Sequence, residues 1–170
     1  MGPNTSQSTA CTREVLDSVR WIFQALRESS RRAERQVGLS GAQLFVLQKL
    51  AESPGLSLNE LADRTHTHQS SVSTVVSRLV ARRLVQRARA AEDGRRVELT
   101  LTARGRSVAA EAPDAAQDRL IAAIEAMPAY RRRLLAEGLA ELARGVAATH
   151  RRAPMFFDDG HSQEDGGGRE

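Results

Sequence analysis

The 170 residues are 41% hydrophobic without any long apolar run, which suits one compact domain with ragged ends and excludes a membrane-spanning helix. The first twelve residues, MGPNTSQSTACT, lack the basic start and apolar core of a signal peptide, and the lone Cys11 allows no intrachain disulfide, so the expected compartment is the reducing cytoplasm. The net charge is only +4, yet the pI is about 10.4 because Lys49 is the single lysine; arginine suits bidentate phosphate contact, although a coding bias toward Arg and Ala produces the same excess.

In chain order, residues 1–12 read as a flexible N-terminus and 13–37 as a helix, because Val15, Leu16, Val19, Ile22, Phe23 and Leu26 recur at helical spacing before the basic Arg31-Arg32 and a break near Gly38. Ser40 begins a second helix carrying Leu44, Leu47 and Leu50, closed by Pro54-Gly55. Leu58, Leu61 and Ala62 form the stripe of a short third helix. After the break THTH, a second stripe of Val72, Val75, Val76 and Leu79 marks a fourth. Leu84–Ala90 and Val97–Thr102 read as two strands, the second alternating strictly with Val97, Leu99 and Leu101 on one face, and Asp93-Gly94 supplies the hairpin turn. Thr102 is the expected N-cap of a long helix through Val108, Leu120, Ile121 and Ile124, which Pro113 bends or restarts. Pro128 bounds a last helix from about Ala129 with Leu134, Leu135, Leu139, Leu142 and Val146. The Gly- and charge-rich residues 151–170 read as a flexible tail. Its Met155-Phe156-Phe157 triplet reads as a passive extension, the rival readings being a dock against the dimer core or partial occlusion of a ligand pocket.

The predicted class is therefore mainly α, a winged helix-turn-helix over 38–102 flanked by N- and C-terminal dimerisation helices at 13–37 and 103–150. At about 100° per residue, the fourth helix turns Val72, Val75 and Leu79 inward and Ser70, Ser73, Thr74, Ser77 and Ala81 outward. A solvated helix face ordinarily carries long charged residues. Short hydroxyls instead let a backbone approach closely, as a helix does in a major groove, where Ser, Thr and Gln reach base edges or phosphates. Candidate contacts on this helix are His68, Gln69, Ser70, Ser71, Ser73, Thr74, Ser77 and Arg78. On the hairpin they are Arg87, Arg89, Asp93, Gly94, Arg95 and Arg96, with arginines at the tip placed to enter a minor groove or hold phosphate. Asp93 either orients Arg95 or simply stabilises the turn's own backbone. The terminal stripes, represented by Val15, Leu16, Val19, Leu134, Leu135, Leu139 and Leu142, need cover. Pairing across a two-fold axis supplies it and doubles the DNA contact.

Over most of its length the chain resembles the MarR (multiple antibiotic resistance regulator) transcription factors. The likeness runs without gaps from Leu58 to Thr102 and includes the D-x-R of the wing tip, Asp93-Gly94-Arg95, and the L-T-x-x-G that follows, Leu101-Thr102-Ala103-Arg104-Gly105. The resemblance implies a homodimer with interlocked terminal helices, a recognition helix from each subunit in successive major grooves of a double-stranded operator, and control by a small molecule or oxidant; a phenolic or other apolar effector is the expected ligand. The chain departs from the pattern at His66 and Arg83, where glycine is common, and at Thr74, where many members carry a longer basic side chain.

The remaining candidates carry less. Cys11 is expected to precede the first helix and is followed by Thr12-Arg13-Glu14, unlike the hydroperoxide-sensing members, whose cysteine lies inside that helix and precedes aromatics. The pair His66 and His68 lacks further zinc ligands nearby. Trp21, Phe23, Phe45 and Tyr130 are read as core packing rather than as the lining of an effector pocket. No residue pattern supports catalysis, and no metal or cofactor is expected. The alternative from another class is a winged-helix interaction scaffold that does not touch DNA.

Overall fold

The computed structural model describes residues 5–89, 96–146 and 155–157. Its elements are α1 (Thr5–Val37), α2 (Gly41–Glu52), α3 (Leu58–Arg64), α4 (Gln69–Ala81), β1 (Val85–Arg89), β2 (Val97–Leu101), α5 (Ala103–Glu111), α6 (Ala116–Glu125) and α7 (Ala129–Val146). The architecture is mainly helical with one small antiparallel sheet, a winged helix-turn-helix.

Each element starts where local chemistry dictates. Ser40 and Ser57 cap α2 and α3 with complete capping boxes, their hydroxyls accepting from the backbone N–H of Gln43 and Glu60 while those side chains bond back to the cap. Thr102 caps α5 by accepting from Gly105 N at 2.9 Å, and its own hydroxyl donates to Arg83 O at 2.8 Å, so one side chain starts a helix and fixes the entry to the wing. Pro113 ends the predicted long helix: α5 stops at Glu111 and α6 restarts at Ala116. The α6 cap, Ala115, has no hydroxyl. Ser29 of α1 substitutes for it, accepting from Ala116 N at 3.1 Å.

The core is built around α2. Leu44, Phe45, Val46, Leu47 and Leu50 are fully buried against Leu61 of α3, Val72, Val75, Val76 and Leu79 of α4, and Leu84, Leu99 and Leu101 of the wing. Because α2 is buried on several sides, its apolar residues do not fall on a single stripe. Lys49 and Gln48 tie it to the C-terminal part, Lys49 pairing with Asp118 and Gln48 Nε2 donating to Pro113 O at 2.9 Å. Burial opposes the Lys49 charge, but hydrogen bonds to Asp118 and Glu52 outweigh it and raise the ammonium pKa.

Four expectations are corrected. The first helix begins at Thr5 rather than after a flexible 1–12 segment, so Cys11 lies inside α1, exposed, instead of before it. The apolar repeat starts only at Val15, but a helix once nucleated propagates cheaply, and Thr12 Oγ1 and Ser18 Oγ bond back to the carbonyls four residues earlier. Trp21, Phe23 and Tyr130 do not pack in the core of the chain: Trp21 is 71% and Tyr130 62% exposed, because α1 and α7 turn these faces away from α2; only Phe45 is buried. Val97 shares a face with Leu99 and Leu101 but is 49% exposed, since β2 starts beyond the edge of the core. Finally, Met155–Phe157 is not a passive extension. Met155 is buried in the core cluster and the Phe157 ring lies 5.8 Å from that of Phe23; the rest of the 151–170 segment lies outside the described residues.

Candidate nucleic-acid interface

The turn between α3 and α4 is held by backbone. His66 N donates to Asp63 O and Thr67 N to Ala62 O, which carries His66 into the left-handed region at φ 50°. Histidine stands here where glycine is common in the resembled family, and Arg83 at φ 58° does the same at the start of the wing. The two positions without a glycine therefore keep the backbone that glycine would supply. His68 caps α4 through its backbone alone, without a side-chain bond to the helix. The His66 ring reaches Glu125 of α6 at 3.5 Å, and among the described residues no cluster of His, Cys, Asp or Glu is arranged to hold a metal.

From that turn α4 projects with Val72, Val75, Val76 and Leu79 fully buried, and with Gln69, Ser70, Thr74 and Ser77 exposed on the other side. Ser71, Ser73 and Arg78 lie at the margin, half-buried. The Thr74 hydroxyl donates to Ser70 O at 3.2 Å, leaving its lone pairs outward as acceptors. The outward face is thus short, polar and uncharged over the first turns.

The wing stands beside it. β1 pairs with β2 in a register that sets Arg87 opposite Leu99 and Arg89 opposite Val97. Leu56, ahead of α3, adds one bridge to Leu99, with Leu99 N donating to Leu56 O at 2.8 Å, so β2 is bonded on both edges. The wing tip itself, including the candidates Asp93, Gly94 and Arg95, falls outside the described residues.

Two side-chain bonds, neither visible in the sequence, anchor the wing to the helices. Arg87 Nη2 donates to Ser77 Oγ of α4 at 3.3 Å. Arg96 Nη2 donates to both carboxylate oxygens of Glu60 on α3, at 2.9 and 2.8 Å. Glu60 also accepts from the N–H and hydroxyl of Ser57, at 2.8 and 2.7 Å. Those Ser57 bonds, with the Arg96 guanidinium beyond them, hold the Glu60 carboxyl below its ordinary value. Arg96 is thereby held to α3 by a bidentate pair while its side chain stays exposed. Arg89 is exposed. Glu60 was missed because only its role in the Ser57 capping box is local, whereas Arg96 lies 36 residues away.

Between this unit and α6 lies a cavity of about 630 Å³, lined by Phe45, the Thr65–His68 turn, Gln117, Ile121, Ile124 and Phe156. Of the four aromatics considered from the sequence, only Phe45 reaches it.

These features define a winged helix-turn-helix protein: a buried-backed helix with a short polar face, a sheet clamped beside it, and long helices at both ends. Residues 37–96 match the profile of the MarR family. The chain is 30% identical over 121 residues to the HTH-type transcriptional regulator FarR of Neisseria gonorrhoeae, covering 71% of this chain and 83% of that protein. It is 31% identical over 88 residues to the HTH-type transcriptional repressor MdtR of Bacillus subtilis, covering 52% of this chain and little more than half, 57%, of the repressor's length. A solved MarR family transcription regulator, SP03579, shares the fold with a TM-score of 0.56 at 17% identity, over 83% of this chain and 93% of that one. The chain belongs to the MarR family.

Proposed function

We propose that the protein is a sequence-specific, DNA-binding transcriptional regulator of the cytoplasm, a repressor that acts as a homodimer and is released by a small apolar or phenolic effector. The observation that carries this reading is the α4 surface: a helix whose inner face is sealed into the core and whose outer face offers only Gln69, Ser70, Thr74 and Ser77, set beside a sheet that bears Arg87 and Arg89. Such a face fits a major groove, with the wing arginines reaching phosphate or the adjacent minor groove.

Dimerisation follows from the uncovered stripes. Val15, Leu16 and Val19 of α1 and Leu134, Leu135, Leu139 and Leu142 of α7 are all exposed, and α7 buries no residue at all. Eighteen residues of helix with no buried side chain would not be stable alone, so a second copy is their natural cover. Two recognition helices about 34 Å apart then match one turn of B-DNA. An effector in the cavity beside Thr65–His68 touches the turn from which α4 starts, and shifts the equilibrium between dimer geometries by its differential affinity for them.

A gel shift with the DNA upstream of the chain's own gene tests the reading. Retardation that Thr74→Glu abolishes at unchanged melting temperature is expected. A wild-type dimer that retards no genomic fragment would overturn it in favour of an interaction scaffold.

A further inference from the structure

Among the described residues of α1 only Leu26, Ser30 and Ala33 are buried, while residues 8–25 are all exposed. This narrow seat holds two adjacent serines, and each completes the start of a different helix. Ser30 Oγ accepts from the backbone N–H of Gly41, the first residue of α2, at 3.0 Å. Ser29 Oγ accepts from that of Ala116, the first residue of α6, at 3.1 Å, and its hydroxyl donates to Asp114 O at 3.4 Å. First-turn N–H groups have no partner within their own helix, so a hydroxyl brought from another element ties the two together. Gly41 is what lets α1 come so near, since an added Cβ would stand 3.1 Å from Ser30 Cβ. The two helices gripped in this way are also the two that hold α4: α2 through the shared core, and α6 through Glu125, 3.5 Å from His66 in the turn that starts α4.

We propose that Ser29 and Ser30 are positioning residues that fix the angle at which α1 leaves the DNA-binding unit, and through it the separation of DNA half-sites that the dimer accepts. Burial of Leu26 and Ala33 holds α1 down but is not directional, whereas two hydrogen bonds to two different helices fix its direction. About 24 Å of helix separates Ser29 from Arg13, at roughly 1.5 Å per residue, so a tilt of about 10° at the joint displaces Arg13 by about 4 Å. That exceeds the roughly 3.4 Å between successive base pairs. A second copy packed on the exposed face of α1 carries the same displacement to its own recognition helix. The half-site consequence rests on the dimeric, DNA-binding reading above, whereas the fixed angle does not.

Pulsed dipolar spectroscopy on the full-length chain tests the joint. Cys11→Ser removes the native thiol, spin labels sit at Arg13→Cys and Ala81→Cys, both exposed positions, and excess unlabelled chain confines the signal to distances within one chain. The parent should give one narrow distance, which Ser29→Ala/Ser30→Ala should shift or broaden by about 4 Å. Ser29→Thr, which keeps the hydroxyl, should retain the parent distance. An unchanged distribution in the double alanine variant overturns the proposal, as does a Ser29→Thr variant that departs from the parent as far as Ser29→Ala does. Should the double variant fail to fold, Ser29→Ala alone decides by the same criterion, because it leaves the buried Ser30 in place. Gel shifts with paired half-sites, their separation varied one base pair at a time, read the consequence for DNA. Discrimination between the best separation and its neighbours should fall from about tenfold to about twofold, with affinity for a single half-site unchanged. Full discrimination despite a broadened distance overturns the half-site claim. A wild type that binds no DNA, in a chain whose distance responds to the serines, leaves the joint standing and removes the regulator.

Discussion

Gly105 shows how close-fitting the junction between wing and α5 is. Its backbone lies against the Leu84 carbonyl so tightly that an added Cβ would run into that oxygen, which gives the glycine of the L-T-x-x-G motif a steric reason. Gly105→Ala should therefore destabilise the fold by about 1–3 kcal/mol, read as a lowered melting temperature at unchanged secondary structure. Glu60 makes a second prediction. Its carboxyl is held below the ordinary 4.5 in the folded protein. The unfolded chain therefore takes up the proton first as pH falls. The stability that the charge contributes is fully present above about pH 4.5 and is lost as pH drops through the lower folded value. Glu60→Gln should flatten the acid limb of urea stability below about pH 5, by a small and salt-sensitive amount because the pair is exposed. An acid limb identical to that of the wild type would remove the proposed clamp.

Among the elements, the wing and α4 share one core through Leu79, Leu84, Leu99 and Leu101, and polar side chains add ties between the wing and the helices. Arg87 joins β1 to Ser77 and Arg96, just ahead of β2, joins it to Glu60, while Arg87, Arg89 and Arg96 all remain exposed. Arg89→Ala should weaken DNA binding across all sequences and reduce the salt slope of log K by about one. Arg96→Ala should instead loosen the wing, detected as faster hydrogen exchange over Val97–Leu101 even without DNA. Identical salt slopes for the two variants, with no change in exchange, would void that division. The helix periodicities were legible because each lies within one element: Val72, Val75, Val76 and Leu79 announce their buried face from spacing alone. The Arg96–Glu60 pair was not legible, since its partners meet only after the chain has turned twice. Nor was the N-terminal extension of α1, whose Ser- and Thr-rich first turns carry no apolar stripe.

For the molecule as a whole, the uncovered faces of α1 and α7 dominate. Leu134 is 63% exposed, and Leu135, Leu139 and Leu142 follow it along the same helix. Leu135→Glu/Leu139→Glu should convert a particle of twice 18.6 kDa into one of 18.6 kDa in sedimentation at micromolar concentration, with loss of operator binding. A wild-type particle of 18.6 kDa would contradict the dimer outright. The sequence reading placed Trp21, Phe23 and Tyr130 in the core because large aromatics are generally buried. Burial within one chain is only one way to meet that tendency, and a second copy is another.

What the residues alone determined is whatever depends on neighbours within a few positions: the caps at Ser40 and Thr102, the amphipathic α4, the break at Pro113, and the family these motifs resemble. What only the tertiary structure decided is which distant groups share a surface. It joined Arg96 to Glu60, left Trp21 outside the core of the chain, and seated Met155–Phe157 on Gln117 and Phe23. The physical reason is the range of the forces involved. Helix and strand periodicity and capping act between residues a few positions apart, whereas an ion pair or a buried methionine finds its partner only once hydrophobic burial has fixed where the elements lie.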